Sequence, residues 1–420
     1  MGGFRSKSVV LVVVPVILLF AGLLLGLVGT GCARQAGPPQ APPVQATPVA
    51  TLSPAVPSTI DDVSPAGLDA YIKAKMKVAH VPGLAACVVS DGEIVWAKGY
   101  GWANVEKRRP VTPDTGFMLA SISKTLVATA VMQQVEAGTL SLDADVNTYL
   151  PFPVRNSKHP DDSVTLRQLL THTSSVRDHS PVWDGLYTYG EDSPVPLDDF
   201  LEGYLTSGGS YWDEKDYSRF APGENYEYSN VGADLAAYVV ESATDMPFDQ
   251  YCATQVFAPL GMNATSCKLE GLDRSALAMP YRYASGSGKY RAYGHYSYPD
   301  YPCGQARSSV SELGRFLASY TSDGTYQGVQ LLKPESVAEI LRPQTSLYKG
   351  QGLAWYREKV GGPKVLGHQG GDQGVCTFMF FDEKTGDGAI VLTNSDVSTW
   401  KEWYAVEDVF ARLIAEAPRL

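Results

Sequence analysis

Apolar residues fall into three regimes along the chain. Val9 to Val28 is an almost unbroken apolar run, and residues 34–58 then turn to Pro, Ala, Thr and Gln with no periodicity. From about Ile60 the pattern becomes globular. A helix is expected near Ala66–Ala79, and Leu84–Ser90 and Glu93–Gly99 read as strands joined by Asp91-Gly92, a strong hairpin signal. Residues from about 118 to 340 carry helical spacing and long loops. Strands return at Leu353–Arg357, Lys364–His368, Val375–Asp382 and Gly388–Thr393, followed by a helix from about Ser398 to Glu416. Terminal strands around a helical middle predict an α+β fold: an antiparallel sheet flanked by terminal helices, with a large, mainly helical inserted subdomain.

Arg5 and Lys7 precede the first apolar run, and Gly29-Thr30-Gly31-Cys32 comes after it. Positive charge, an apolar core and small residues describe an export signal. Cys32 resembles the lipidated cysteine of a bacterial lipoprotein, although Gly29 stands where leucine is usual. The run is also about long enough to span a bilayer, so an uncleaved signal anchor is the alternative. Both readings place the rest of the chain outside the cytoplasm, held to the membrane by an N-terminal lipid or helix, or secreted if cleavage occurs without lipidation. The expected organisation is a signal peptide or anchor at 1–32, a semi-extended tether at 33–59 and one catalytic domain at 60–420. Within that domain the sheet parts span about 60–117 and 345–420, and the helical insert about 118–344.

A net charge of −11 argues against nucleic acid as a partner. Besides Cys32 there are Cys87, Cys252, Cys267, Cys303 and Cys376, an odd set whose pairing spacing alone leaves open. There is no CxxC and no HExxH, so neither metal nor cofactor is expected.

Candidate chemistry begins at Ser121-Ile122-Ser123-Lys124, which opens a helix-like run ending at Gly138. Residues three apart share a helix face, so the Lys124 ammonium reaches the Ser121 hydroxyl. A serine needs a neighbouring base to become a nucleophile. Lysine serves as that base if burial lowers its pKa from about 10.4 towards 7 or 8, about 4 kcal/mol of perturbation. The same spacing recurs at Ser346/Lys349, in a loop, and at Ser398/Lys401, near the C-terminus; both read as solvated pairs. Tyr228 and Asn230 immediately precede a second helix start. Gly367-His368-Gln369-Gly370-Gly371 ends a predicted strand, where glycines let backbone N–H groups approach a ligand.

These three signals occur in order with Pro82-Gly83-Leu84, Gly99-Tyr100-Gly101-Trp102-Ala103-Asn104, Gly138-Thr139-Leu140, Leu169-Leu170-Thr171-His172-Thr173-Ser174, Pro259-Leu260-Gly261-Met262 and Leu392-Thr393-Asn394. Together they resemble the class C β-lactamase-like serine hydrolases, which include penicillin-binding proteins, D-aminopeptidases and carboxylesterases. The resemblance runs from about Leu68 to Phe410. It implies a β-lactamase/transpeptidase-like fold and an acyl-enzyme mechanism. Ser121 would be the nucleophile, Lys124 its proton partner, and Tyr228 the general base and acid acting with Lys124. Asn230, His368, Gln369, Gly370 and Gly371 would contact substrate, with the N–H groups of Ser121 and Gly371 as the oxyanion hole. His172 reads as a brace for the helical part, and Lys384-Thr385-Gly386 as a turn rather than a strand-edge motif.

His368 and Gln369 depart from the Lys-Thr pattern of many relatives. A largely neutral histidine holds a carboxylate less well than lysine. This favours a small ester, or a peptide or amide without strong acidity, over efficient β-lactam hydrolysis. D,D-peptidase or β-lactamase action is the alternative within the class, and a non-catalytic binding lipoprotein the alternative outside it. The tyrosines between Pro280 and Cys303 show no clear period and read as a loop, either lining the cleft mouth or packed on its own domain.

Overall fold

The computed structural model describes residues 67–179 and 183–420. The apolar N-terminal run, Cys32 and the tether lie outside the described residues. Five helices position the sheet and the cleft beside it: α1 (Leu68–Val78), α2 (Ser123–Glu136), α3 (Asn230–Thr244), α4 (Val310–Thr321) and α5 (Trp400–Glu416). The main sheet is built from β1 (Gly83–Ser90), β2 (Glu93–Asn104), β3 (Arg109–Pro110), β4 (Tyr356–Lys359), β5 (Lys364–Asp372), β6 (Val375–Phe381) and β7 (Gly388–Thr393). Its order is β4-β5-β6-β7-β1-β2-β3, and the pairings are antiparallel. The two ends of the domain meet where β1 pairs with β7, in a register that sets Leu84 opposite Thr393 and Val89 opposite Gly388.

β6 and β7 are buried along their whole length, as is β1 up to Val89. Their side chains alternate between two cores, as the two-residue period of a strand requires. Leu84, Ala86, Val88, Phe378, Phe380, Ala389 and Val391 face the terminal helices, packing with Ile72 of α1 and Phe410 of α5. Ala85, Cys87, Val89, Met379, Phe381, Ile390 and Leu392 face the inserted helices, packing with Leu126 and Phe316. A strand covered on both faces shows a continuous apolar run instead of alternation. Gly314 lets α4 approach closely here: a Cβ on it would lie 2.7 Å from Ile94 and 3.4 Å from the Cys87 sulfur. This is the α+β layout expected from the sequence: an antiparallel sheet with the terminal helices on one face and the inserted helices on the other.

Three details differ from the sequence reading. Ser121 precedes α2 in a tight turn, Ala120–Ile122, and α2 itself starts at Ser123. The strand expected at Leu353–Arg357 sits three residues later, at Tyr356–Lys359. The tyrosine-rich stretch is not a plain loop: Tyr281–Ala284 and Lys289–Ala292 pair as a hairpin, and Tyr296–Ser297 pairs with Thr188–Tyr189. These segments are two to four residues long, too short to establish a period. The five described cysteines are buried, free thiols.

Candidate active site

Ala120 holds a left-handed backbone, φ 49°, directly before Ser121. For a residue with a Cβ this costs of order 1 kcal/mol and persists only where the surroundings impose it. Here they do. The Leu119 carbonyl accepts a 2.8 Å hydrogen bond from the Thr377 hydroxyl of β6, and the Leu119 N–H donates to the Ala306 carbonyl at 2.8 Å. Gly370 of β5 supplies the clearance, since a Cβ there would sit 2.5 Å from both the Leu119 oxygen and the Thr377 hydroxyl. The turn thus sets a half-buried Ser121 against the β5 edge and at the N-terminal side of α2, where the helix dipole favours negative charge.

Lys124 lies on the first turn of α2 and is fully buried. Its ammonium donates to the Ser121 hydroxyl at 3.2 Å, to Asn230 Oδ1 at 2.7 Å and to the Cys303 carbonyl at 2.9 Å. Three N–H groups meet three acceptors. Burial works against the charge, but the electrostatic pull of Tyr228, Cys303 and Asp234 outweighs it, so the pKa moves up. That direction is opposite to the lowering a general-base lysine needs, and its three donors are satisfied.

The second wall comes from the start of α3. Ser229 caps the helix, its hydroxyl accepting the Gly232 N–H at 2.9 Å. Asp178 accepts from the Ser229 hydroxyl at 2.9 Å and from the N–H groups of Asn230 at 2.8 Å and Val231 at 3.1 Å. A carboxylate on the first N–H groups of a helix complements its dipole and fixes where Tyr228 and Asn230 enter the cleft. The Tyr228 ring lies 5.0 Å from the Lys124 nitrogen and is 37% exposed, so it faces both the lysine and the open cleft. His172 braces it from behind, with ring centroids 4.3 Å apart. Burial first, and then the charge of Lys124, push the His172 pKa well down, and its bare Nδ1 accepts the Ser229 N–H at 3.3 Å.

The third wall is the end of β5. His368 is 2% exposed. Its Nδ1–H donates to the Gln369 carbonyl at 2.5 Å, and its Nε2 is buried without a partner. Burial, helped by the Lys124 charge, lowers its pKa to about 3, so the ring is neutral. It packs edge-on against Tyr356 at 4.9 Å and lies 6.4 Å from the Tyr228 ring. Gln369 alternates to the other face of the strand, whereas Gly370 and Asp372 share the face of His368. Gly371 is exposed, with open space where a side chain would be.

The structure therefore gathers Ser121, Lys124, Tyr228, Asn230 and His368 around one cleft with the Gly370–Gly371 edge beside them. Ser346 and Lys349 lie in a loop, and Ser398 precedes α5 on the far face of the sheet. Lys384-Thr385-Gly386 lies in the turn between β6 and β7. Sequence reasoning missed Asp178, whose partners are more than fifty residues away, and the Cys303 carbonyl, a backbone group with no side-chain signature. It also missed Asp372, which accepts from the hydroxyls of Tyr187 at 3.0 Å and Tyr298 at 3.1 Å. Most of the tyrosine-rich stretch packs on its own domain: Tyr281, Tyr296, Tyr298 and Tyr301 are buried.

Residues 68–409 match the family model described as Beta-lactamase. Protein flp of Staphylococcus aureus (strain MRSA252) is 23% identical over 329 residues, covering 78% of this chain and 62% of its own length. The chain thus spans about three fifths of the length of that curated relative. Esterase EstB of Burkholderia gladioli is 34% identical over 228 residues, 51% of this chain and 54% of the esterase. Among solved structures, the octameric penicillin-binding protein homologue from Pyrococcus abyssi superposes with a TM-score of 0.66 at 25% identity, covering 84% of this chain and 78% of that one.

Proposed function

Because the chain belongs to the beta-lactamase family, we propose that it is a serine hydrolase working through an acyl-enzyme on Ser121, with small esters as its better substrates. The observation that carries this reading is the Lys124 ammonium, 3.2 Å from the Ser121 hydroxyl and under the Tyr228 ring. Lys124 donates to Ser121 and so does not also take its proton. Tyr228, at the open side of the lysine and reacting as its phenolate, accepts that proton as the Ser121 oxygen attacks the carbonyl carbon, and gives it to the leaving group when the C–O or C–N bond breaks. Water then attacks the acyl carbon, Tyr228 again takes its proton, and that proton passes to the Ser121 oxygen as the bond between it and the acyl carbon breaks. The Ser121 and Gly371 N–H groups are suited to receive the developing oxyanion, and fixed donors of that kind contribute about 3 kcal/mol each. Asn230 keeps Lys124 in place while its amide nitrogen remains for the substrate.

Ester preference rests on His368. It offers no charge to a substrate carboxylate, and acyl transfer itself accepts esters, amides and β-lactams, so selectivity comes from binding contacts. The relative named as an esterase supports this reading; the penicillin-binding relative keeps D,D-peptidase or β-lactamase action as the second. The export-signal pattern ahead of the domain supports an extracytoplasmic enzyme tethered through a lipid on Cys32 or through an uncleaved helix.

Intact-mass spectrometry after treatment with a fluorophosphonate should show one adduct, on the peptide containing Ser121. Ser121→Ala should abolish both adduct and turnover, the latter by several orders of magnitude. Turnover unchanged in Ser121→Ala would end this reading. For specificity, kcat/KM should be higher for p-nitrophenyl acetate than for nitrocefin, and His368→Lys should narrow the gap. Nitrocefin better by tenfold, about 1.4 kcal/mol in transition-state binding, would promote the β-lactamase reading instead.

A further inference from the structure

Just past Gly371, the β5 edge ends in an anchor that the acyl-transfer steps do not use. β4 pairs with β5 only as far as Gly367, and on that side the Gln369 N–H donates to the Tyr356 hydroxyl at 3.4 Å. Two residues on, the Gly371 N–H faces the same way, off the free edge of the strand. Gly370 and Gly371 have no side chains to hold that edge still. Asp372 does. Its Oδ1 accepts from the Tyr187 hydroxyl at 3.0 Å and the Gln373 N–H at 2.7 Å, and its Oδ2 from the Tyr298 hydroxyl at 3.1 Å. Gln373 is held likewise, its carbonyl accepting from the Tyr296 hydroxyl at 2.8 Å and its side-chain oxygen from the Tyr189 hydroxyl at 2.9 Å. Four tyrosines from two segments of the insert, themselves paired through Tyr189 and Tyr296, thus close on two residues. Tyr298 also lies in one buried cluster with Met118 and Ala120, the residues that lead into Ser121.

We propose that Asp372 is a positioning residue for the oxyanion: bonded to Tyr187 and Tyr298, it fixes the Gly371 N–H relative to the Ser121 N–H. Donors stabilise a developing oxyanion only if they already point at the place where its charge appears. The Ser121 N–H is placed by the Ala120 turn, and the Gly371 N–H by a strand end that two glycines leave free to shift. Tyr298 is packed with the first and hydrogen-bonded to the residue after the second, so the Asp372–Tyr298 bond ties the two halves together. Both carboxylate oxygens are occupied, which leaves Asp372 a part in geometry and none in contacting substrate. Arg307, buried and donating to the carbonyls of Gln305 and Tyr296, attracts the Asp372 carboxylate, which is therefore not an isolated negative charge beside the oxyanion.

This inference rests on the acyl-enzyme reading, and one experiment separates the two. Rates would be measured for p-nitrophenyl acetate and for its thionoester, in which sulfur replaces the carbonyl oxygen, with a thermal melt of each variant. Sulfur is larger and a weaker acceptor, so the wild type should prefer the oxoester. Asp372→Ala should lower kcat for the oxoester about 10²-fold with KM little changed, the loss expected when a fixed group moves by about 1 Å. The thionoester gains less from the N–H donors, so it should slow less and the preference should narrow about tenfold. A folded Asp372→Ala enzyme with wild-type kcat, or one that slows both esters by the same factor, overturns the proposal. If that variant does not fold, Tyr298→Phe, which removes one hydroxyl, should narrow the preference in the same direction, and an unchanged preference overturns the proposal equally. A wild type that turns over both esters on Ser121 at equal rates has no oxyanion site to position, which overturns the proposal and leaves the acyl-enzyme standing. A wild type that neither turns over the ester nor labels on Ser121 sinks the acyl-enzyme reading itself.

Discussion

Two walls of the cleft each bury a basic side chain, and only one of them keeps it charged. Lys124, on the α2 wall, and His368, on the β5 wall, are both removed from water, and burial by itself neutralises either. The difference lies in partners. Lys124 meets three acceptors and lies against the Tyr228 ring. His368 meets one carbonyl, and its second nitrogen has nothing to bond. The groups around each base, not its depth, set the direction in which its pKa moves. The groups of the proposed acyl transfer thus lie on the α2 and α3 wall, while the β5 wall presents a neutral ring and a glycine edge.

The comparison breaks most visibly if the same substitution is made on both walls. Lys124→Met removes the ammonium from under Tyr228 and leaves Asn230 Oδ1 and the Cys303 carbonyl without their partner. We expect kcat for p-nitrophenyl acetate to fall about 10²- to 10⁴-fold. The melting temperature should fall too, because each buried acceptor left unpaired costs about 1–3 kcal/mol. His368→Met removes a neutral ring with one unpaired nitrogen, so its stability should stay within about 1.5 kcal/mol of the wild type. Equal losses from the two variants, read by thermal melts and initial rates, would erase the distinction between the walls.

Gly370 is the point where the walls touch. Gly370→Ala would drive a Cβ into the Leu119 carbonyl and the Thr377 hydroxyl, at 2.5 Å from each, in the turn that carries Ser121. A shift of about 1 Å at that turn is expected to cost about 10²-fold in kcat, with ester KM much less affected. A variant with wild-type kcat would mean that the turn gives way without moving the nucleophile.

Legibility in the sequence divides along the same line. Ser121–Lys124, Tyr228–Asn230 and the glycine pair after His368 are each contiguous in sequence and sit at element ends, so local spacing revealed them. The sheet was legible because β1, β6 and β7 are covered on both faces and show as apolar runs. The charge on Lys124 was not legible. Its burial comes from α2 being buried on every side from Ser123 to Met132, but two of its three acceptors come from positions 230 and 303, joined to it only by tertiary packing. Asp178 was hidden for the same reason, bonding mainly to backbone N–H groups distant in sequence. The tyrosine hairpin was missed because its strands are too short to show alternation.

The smallest effect concerns the stability of the β5 wall in acid. An unfolded histidine binds its proton near pH 6.5, whereas His368 in the fold binds one only near 3. Between those values the unfolded state holds more protons, so the His368 contribution to stability is present above pH 6.5 and is lost as the pH falls through that window. Carboxylates throughout the molecule contribute slopes of their own, so the informative quantity is a difference between two proteins. Urea midpoints measured from pH 7 to pH 5 should fall more steeply for the wild type than for His368→Met, which has no proton to take up at that position. Parallel slopes would mean that His368 is protonated in the folded enzyme. The β5 wall would then carry a positive charge after all, and the preference for uncharged esters would lose its basis.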